Sequence, residues 1–167
     1  TLVAALPAFG GQVLFSNFGP PGSEYQAGAW VINSGFSVGV GFSPSPSGYF
    51  LDEIDIPIFW RTLTNFGTPN VDLTVNLLGP YNSGQVVPGA PFNVIETWQV
   101  SSSVAPATNA SILSLLSASH PQLTGQVYFL TLEAPGLGST FQWAWATNNT
   151  NAKGWAGGSG GTWSFND

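Results

Sequence analysis

The chain has no cysteine, no methionine and very little charge. Without Cys there is no disulfide framework and no thiolate metal site. Only Arg61 and Lys153 are basic, against eight acidic residues, which leaves a net charge of −6. Neutralising phosphates takes cations, so this composition excludes nucleic-acid binding and disfavours attraction to an anionic membrane surface. Charged residues make up 6% of 167 positions, where a soluble domain carries about 25%. With so few ionised groups, repulsion between copies is weak and self-association is easy. No uninterrupted apolar run reaches the roughly 18 residues that a spanning helix needs, and no basic segment precedes an apolar one as in a leader peptide. Starting at Thr1 without Met, the chain reads as an exported product with its leader removed, extracellular or on the cell surface.

What is present is aromatic and turn-rich. Seven Trp, 12 Phe and four Tyr set it apart from disordered chains, which lack aromatics as well as hydrophobicity. The length fits one domain able to bury its own core. The runs 127–133 and 140–147 flank a turn carrying Pro135, Gly136 and Gly138. Tyr128, Leu130 and Leu132 share one parity, as do Phe141, Trp143 and Trp145, so an antiparallel pair of these runs would present six large side chains on one face. Covering that face requires a second sheet.

The same period of two recurs along the chain. Residues 36–42 place Val38, Val40 and Phe42 on one side and Gly39 and Gly41 on the other. Residues 49–60 place Ile54, Ile56, Ile58 and Trp60 together, with Pro57 on the opposite side. Because Pro57 cannot donate to a ladder, this strand is expected to bulge or to lie at an edge there. Residues 70–78 alternate cleanly, with Val71, Leu73, Val75 and Leu77 inward. Residues 93–101 put Val94, Trp98 and Val100 on one face, with Glu96 among them. Residues 79–92 read as a long turn, and 110–116 as one helical turn or a strand. Roughly ten short strands with frequent turn signals mean an all-β fold, an antiparallel two-sheet β-sandwich of jelly-roll-like form. A short N-terminal strand or arm, residues 1–11, precedes a single sandwich domain, 12–167.

The order of motifs VLFSNFGP at 13–20, YFLDEIDI at 49–56, VDLTVNL at 71–77, ETWQV at 96–100, HPQL at 120–123, GQVYFL at 125–130, WAWATNNT at 143–150 and GGTW at 160–163 resembles the choice-of-anchor R domain. The match covers about residues 12 to 163. The resemblance implies an exported bacterial surface protein on a β-sandwich, and it implies no catalytic activity. Two features depart from the family pattern: no sorting tail follows Trp163, and residues 1–8 lie ahead of the matched region.

Chemistry-bearing residues are few, and each has a plain structural reading beside the functional one. His120 is the only histidine; with no second His or Cys it does not make a zinc site. Serines abound, but no G-x-S-x-G elbow supports a hydrolase, and neither an enzyme nor a cofactor is expected. Asp52, Glu53 and Asp55 form the one acidic cluster, a partial Ca²⁺ ligand set, a glycosidase-like pair or simply charge that guards a strand edge. Trp155, amid glycines, with Asn149 and Asn151 close in sequence, is the candidate platform for a polysaccharide. Asn109 and Asn148 fit the N-x-[ST] glycosylation sequon. Residues 1–8 are uncharged and apolar ahead of a Phe-Gly-Gly joint, so Leu2, Val3, Ala4 and Leu6 are candidates to complete a sheet of the next subunit. Such a head-to-tail contact between copies builds a filament. The leading expectation is a non-catalytic structural domain that assembles with itself; the alternative is a carbohydrate-binding or adhesion module.

Overall fold

The computed structural model describes residues 29–32, 37–45, 47–62, 72–81, 93–101, 111–134, 141–146, 155–159 and 162–166. The alternating segments form strands: β1 (Ala29–Ile32), β2 (Ser37–Phe42), β3 (Glu53–Thr62), β4 (Asp72–Tyr81), β5 (Val94–Ser101), β6 (Ser111–Leu116), β7 (Val127–Glu133), β8 (Phe141–Ala146), β9 (Trp155–Ser159) and β10 (Thr162–Asn166). The described residues contain no helix.

Two antiparallel sheets result, one in the order β1-β8-β3-β6 and the other β10-β9-β2-β7-β4-β5. Among the first eight strands the pairing follows one rule. β4 pairs with β5, β3 with β6, β2 with β7 and β1 with β8. The chain is thus a long two-stranded ribbon, folded over so that alternate segments fall in opposite sheets, which is the jelly-roll form of the sandwich. The hairpin of β9 and β10 widens one sheet beyond β2.

The inward parity of each strand fills the space between the sheets. Leu73, Val75 and Leu77 of β4 are fully buried, and Leu130 and Leu132 of β7 lie beside them. Leu73, Val75, Leu130 and Leu132 meet Ile56, Ile58 and Leu115 from the facing sheet in one apolar cluster. A second cluster of Leu51, Leu77, Leu123 and Tyr128 lies next to it, and Phe42, Ile54 and Trp98 pack against both. Each fully buried aliphatic side chain contributes about 1.5–3 kcal/mol relative to exposure.

Two strands show how local chemistry is accommodated. Ser117 N donates to Asp52 O at 2.8 Å, which fixes the parity of the β3–β6 ladder: Ile112, Ser114 and Leu116 turn their backbone groups away from β3. Pro57 stands opposite Ile112, so its missing N–H falls on the other side of β3. There the ladder with β8 begins one residue later, at Ile58. The proline therefore sits where β3 has a partner on one side only, as its lack of a donor requires. Gly79 adopts φ +127°, and a Cβ there would lie 3.1 Å from both Tyr128 Cδ1 and Val127 O. Only glycine fits this close approach of β4 to β7.

Two expectations change, and one open alternative is decided. The runs 127–133 and 140–147 do not pair: β7 and β8 lie in different sheets, and each finds its partners far away in sequence. Pro80 does not open a turn, because β4 continues to Tyr81. Residues 111–116 are a strand, with Leu115 inward and Leu116 outward. β7 is also buried on both faces, since Phe129 and Thr131 are 6% and 2% exposed alongside the core-facing Tyr128, Leu130 and Leu132.

Candidate functional site

The chemistry-bearing side chains of the described residues collect where the β3–β6 ribbon leaves its sheet. The pairing runs on past the strand ends. Leu51 N donates to Pro121 O at 3.0 Å, Leu123 N to Tyr49 O at 2.9 Å and Gly48 N to Leu123 O at 2.6 Å, and Phe50 bridges to Gln122. From the pair Glu53–Leu116 to the pair Phe50–Gln122, one strand advances three residues and the other six. Three residues, 118–120, are looped out, and His120 ends the excursion at φ 43°. Tyr128 supports it from below: its hydroxyl accepts from Thr124 N at 2.9 Å and shares a 3.1 Å hydrogen bond with Thr124 Oγ1.

The loop is held by Glu96, the acid whose parity clashes with its apolar neighbours on β5. One carboxylate oxygen accepts from Ser117 Oγ at 2.6 Å and Ser119 Oγ at 2.8 Å; the other accepts from Ala118 N at 2.6 Å. Partial burial is the largest single influence on this carboxyl and pushes its pKa up. The hydrogen bonds from Ser117, Ala118 and Ser119 together outweigh it and hold the pKa below the ordinary Glu value of 4.5. One position along the same face, Trp98 Nε1 donates to Leu116 O at 2.8 Å. β5 and β6 are the outermost strands of their respective sheets, so Glu96 and Trp98 stitch the two edges together at the C-terminal end of β6.

His120 Nδ1 lies 3.0 Å from Asp52 Oδ1, with side chains 58% and 78% exposed. A polar contact this open to water contributes little to stability. The proximity of Ser117, His120 and Asp52 invites comparison with a nucleophilic triad, which needs the serine hydroxyl on the second ring nitrogen. Here the Ser117 hydroxyl is buried, donates to Glu96 and accepts from the His120 backbone amide at 3.0 Å. The constellation anchors a loop and presents no activated nucleophile.

Glu53 and Asp55 project from β3, and Asp55 accepts a hydrogen bond from Ser114 Oγ. β3 is an interior strand of its sheet, so these acids do not line an edge as a guarding role would require. Among the described residues no group of three or more His, Asp or Glu is placed to hold a metal ion.

Of the other candidate residues, Trp155 opens β9 and is the register partner of Val40, a core residue. Trp143 stands opposite Ile32 and Trp145 opposite Ile58, both core positions. Leu2, Val3, Ala4, Leu6, Asn109, Asn148, Asn149 and Asn151 lie outside the described residues. Ser117 and Ser119 are partners that sequence reasoning missed; the one signal was the misfit of Glu96 in an apolar alternation. Comparison of the chain with protein-family models, with curated proteins and with solved structures finds no match in any of the three.

Proposed function

We propose that this chain is a non-catalytic structural domain of the cell exterior that associates with copies of itself. The observation that carries the reading is the open edge formed by β6. Strand SILSLL bears no charge and no proline, is paired on one side only among the described residues, and exposes Ile112 (44%) and Leu116 (72%). Proteins that must stay monomeric blunt such an edge with charge, proline or a covering segment. The scarcity of ionised groups across the chain supports the same reading. Export and surface display rest on that composition and on the resemblance to the choice-of-anchor R domain. In the filament form of the proposal, Leu2, Val3, Ala4 and Leu6 extend a sheet of the neighbouring copy.

Light scattering and sedimentation across a concentration series test this. The full chain is expected to form high-mass species, and a variant lacking residues 1–8 to lose the longer ones. A full chain that stays monomeric at high concentration overturns the reading. If it is monomeric and its tryptophan fluorescence responds to polysaccharide, the binding-module account with Trp155, Asn149 and Asn151 takes its place.

A further inference from the structure

We propose that two copies of the chain join edge to edge through β6, antiparallel about a twofold axis at Ser114, so that the four-stranded sheets become one continuous sheet. This rests on the reading of self-association above and names the contact.

The argument begins with the backbone. Ile112, Ser114 and Leu116 turn their N–H and C=O groups away from β3, as the hydrogen bonds of Ser117 and Leu116 establish. An outward row of this kind is a template for another strand. Two antiparallel strands exchange hydrogen bonds only where outward-turned residues oppose one another. With Ser114 on the axis, Ser114 faces its own copy and Ile112 faces Leu116 twice, giving about six inter-chain hydrogen bonds. Leu116 O already accepts from Trp98 Nε1, but a carbonyl oxygen has a second lone pair for Ile112 N–H.

The side chains agree with this register. The exposed face of β6 reads Ile112, Ser114, Leu116, so the twofold sets each exposed apolar residue against the other and covers both. That self-complementarity points to a second copy and not to an unrelated strand. Charge permits it. β6 carries none; Glu53 and Asp55 stand one strand in, and Glu96 lies past the strand end with its carboxylate taken up by Ser117, Ala118 and Ser119. Across the joint, Asp55 and its equivalent are separated by three strand spacings, about 14 Å. That exceeds the screening length of about 8 Å at physiological ionic strength, so the acids do not oppose the contact. The contact is isologous and closes on itself, so it makes pairs; filament growth requires the separate contact of the N-terminal arm.

The test exploits the absence of cysteine. In the full chain, Ser114→Cys introduces a single thiol, and hydrogen-bonded antiparallel pairs hold their Cα atoms about 5.5 Å apart, within disulfide reach. With an added disulfide oxidant, Ser114→Cys is expected to give a covalent dimer. Ser45→Cys, at an exposed position of the β2–β3 crossover, is expected to give none. The double variant Ile112→Lys/Leu116→Lys is expected to weaken pairing at least about tenfold by sedimentation, with unchanged far-UV dichroism as the check of folding. If the wild-type chain associates while Ser114→Cys fails to cross-link faster than Ser45→Cys, or the Lys variant associates as before, the β6 contact is refuted and self-association by another surface survives. If the wild-type chain is monomeric throughout, both fall.

Discussion

Replacing Glu96 by Gln removes one negative charge and one acceptor while keeping the shape of the side chain. The carboxylate holds Ser117 Oγ, Ser119 Oγ and Ala118 N at 2.6–2.8 Å. Hydrogen bonds to a charged acceptor contribute about 1.5–3 kcal/mol each, and neutral ones about 0.5–1.5. In the variant the amide nitrogen cannot accept, so one donor loses its partner and the remaining bonds lose their charge assistance. Water reaches the exposed Ala118 and offsets part of that loss, which leaves a net cost of about 2 kcal/mol at neutral pH. For a domain of this size the melting temperature falls by about 4–8 °C. The pH dependence separates this cause from simple repacking. The folded-state pKa of Glu96 lies below its ordinary value, so its stabilisation is complete above that ordinary value and is lost as pH falls through the lowered one. Thermal unfolding at pH 7 and near pH 2 should therefore show a gap between wild type and Glu96→Gln that closes in acid. An equal gap at both pH values, or none at pH 7, would refute the assignment of Glu96 as the anchor of the 118–120 loop.

Thr131 is 2% exposed, and its Oγ1 has no hydrogen-bond partner, so Thr131→Val replaces an unsatisfied hydroxyl by a methyl group of similar size. Stability should rise by about 1 kcal/mol, read as a higher urea midpoint; a fall would show that the hydroxyl is engaged. Burial raises the pKa of Glu133, partly opposed by the 3.4 Å hydrogen bond from Asn76 Nδ2. A raised folded pKa means that the ionised form costs stability once pH climbs above the ordinary Glu value. Glu133→Gln should accordingly shift the urea midpoint upward at pH 7 and leave it unchanged below about pH 4.

Within-strand periodicity was legible in the sequence, and between-strand pairing was not. The alternation around Leu73, Val75 and Leu77 located β4 and its buried face, because a half-buried strand must alternate. The same parity argument failed for β7 and β8. Shared parity and adjacency suggest a hairpin, but in a rolled ribbon the strand nearest in sequence is often in the opposite sheet. Tyr128 and Trp143 thus both have core parity without sharing a face. Pro57 suggested a bulge or an edge, and β3 is instead an interior strand without a register shift there, its ladder with β8 starting one residue later at Ile58. Glu96 was visible as an anomaly, yet its partners were hidden. Nothing in the periodicity of 110–123 marks residues 118–120 as looped out, and only the register between two distant segments exposes them.

The nesting of the ribbon also bears on how the chain comes together. β4 and β5 are separated by a short stretch of sequence, whereas each later pairing spans all the earlier ones, ending with β1 against β8. Closing any outer pair directly costs more loop entropy than closing it after the inner ones, so the topology predicts assembly outward from the central hairpin, in the slow regime of non-local β topologies, about milliseconds to seconds. Until β3 and β6 have met, the strip of uncharged sequence in β6 has no partner of its own, and it is in that interval that neighbouring chains at high concentration compete with the chain's own β3 for it.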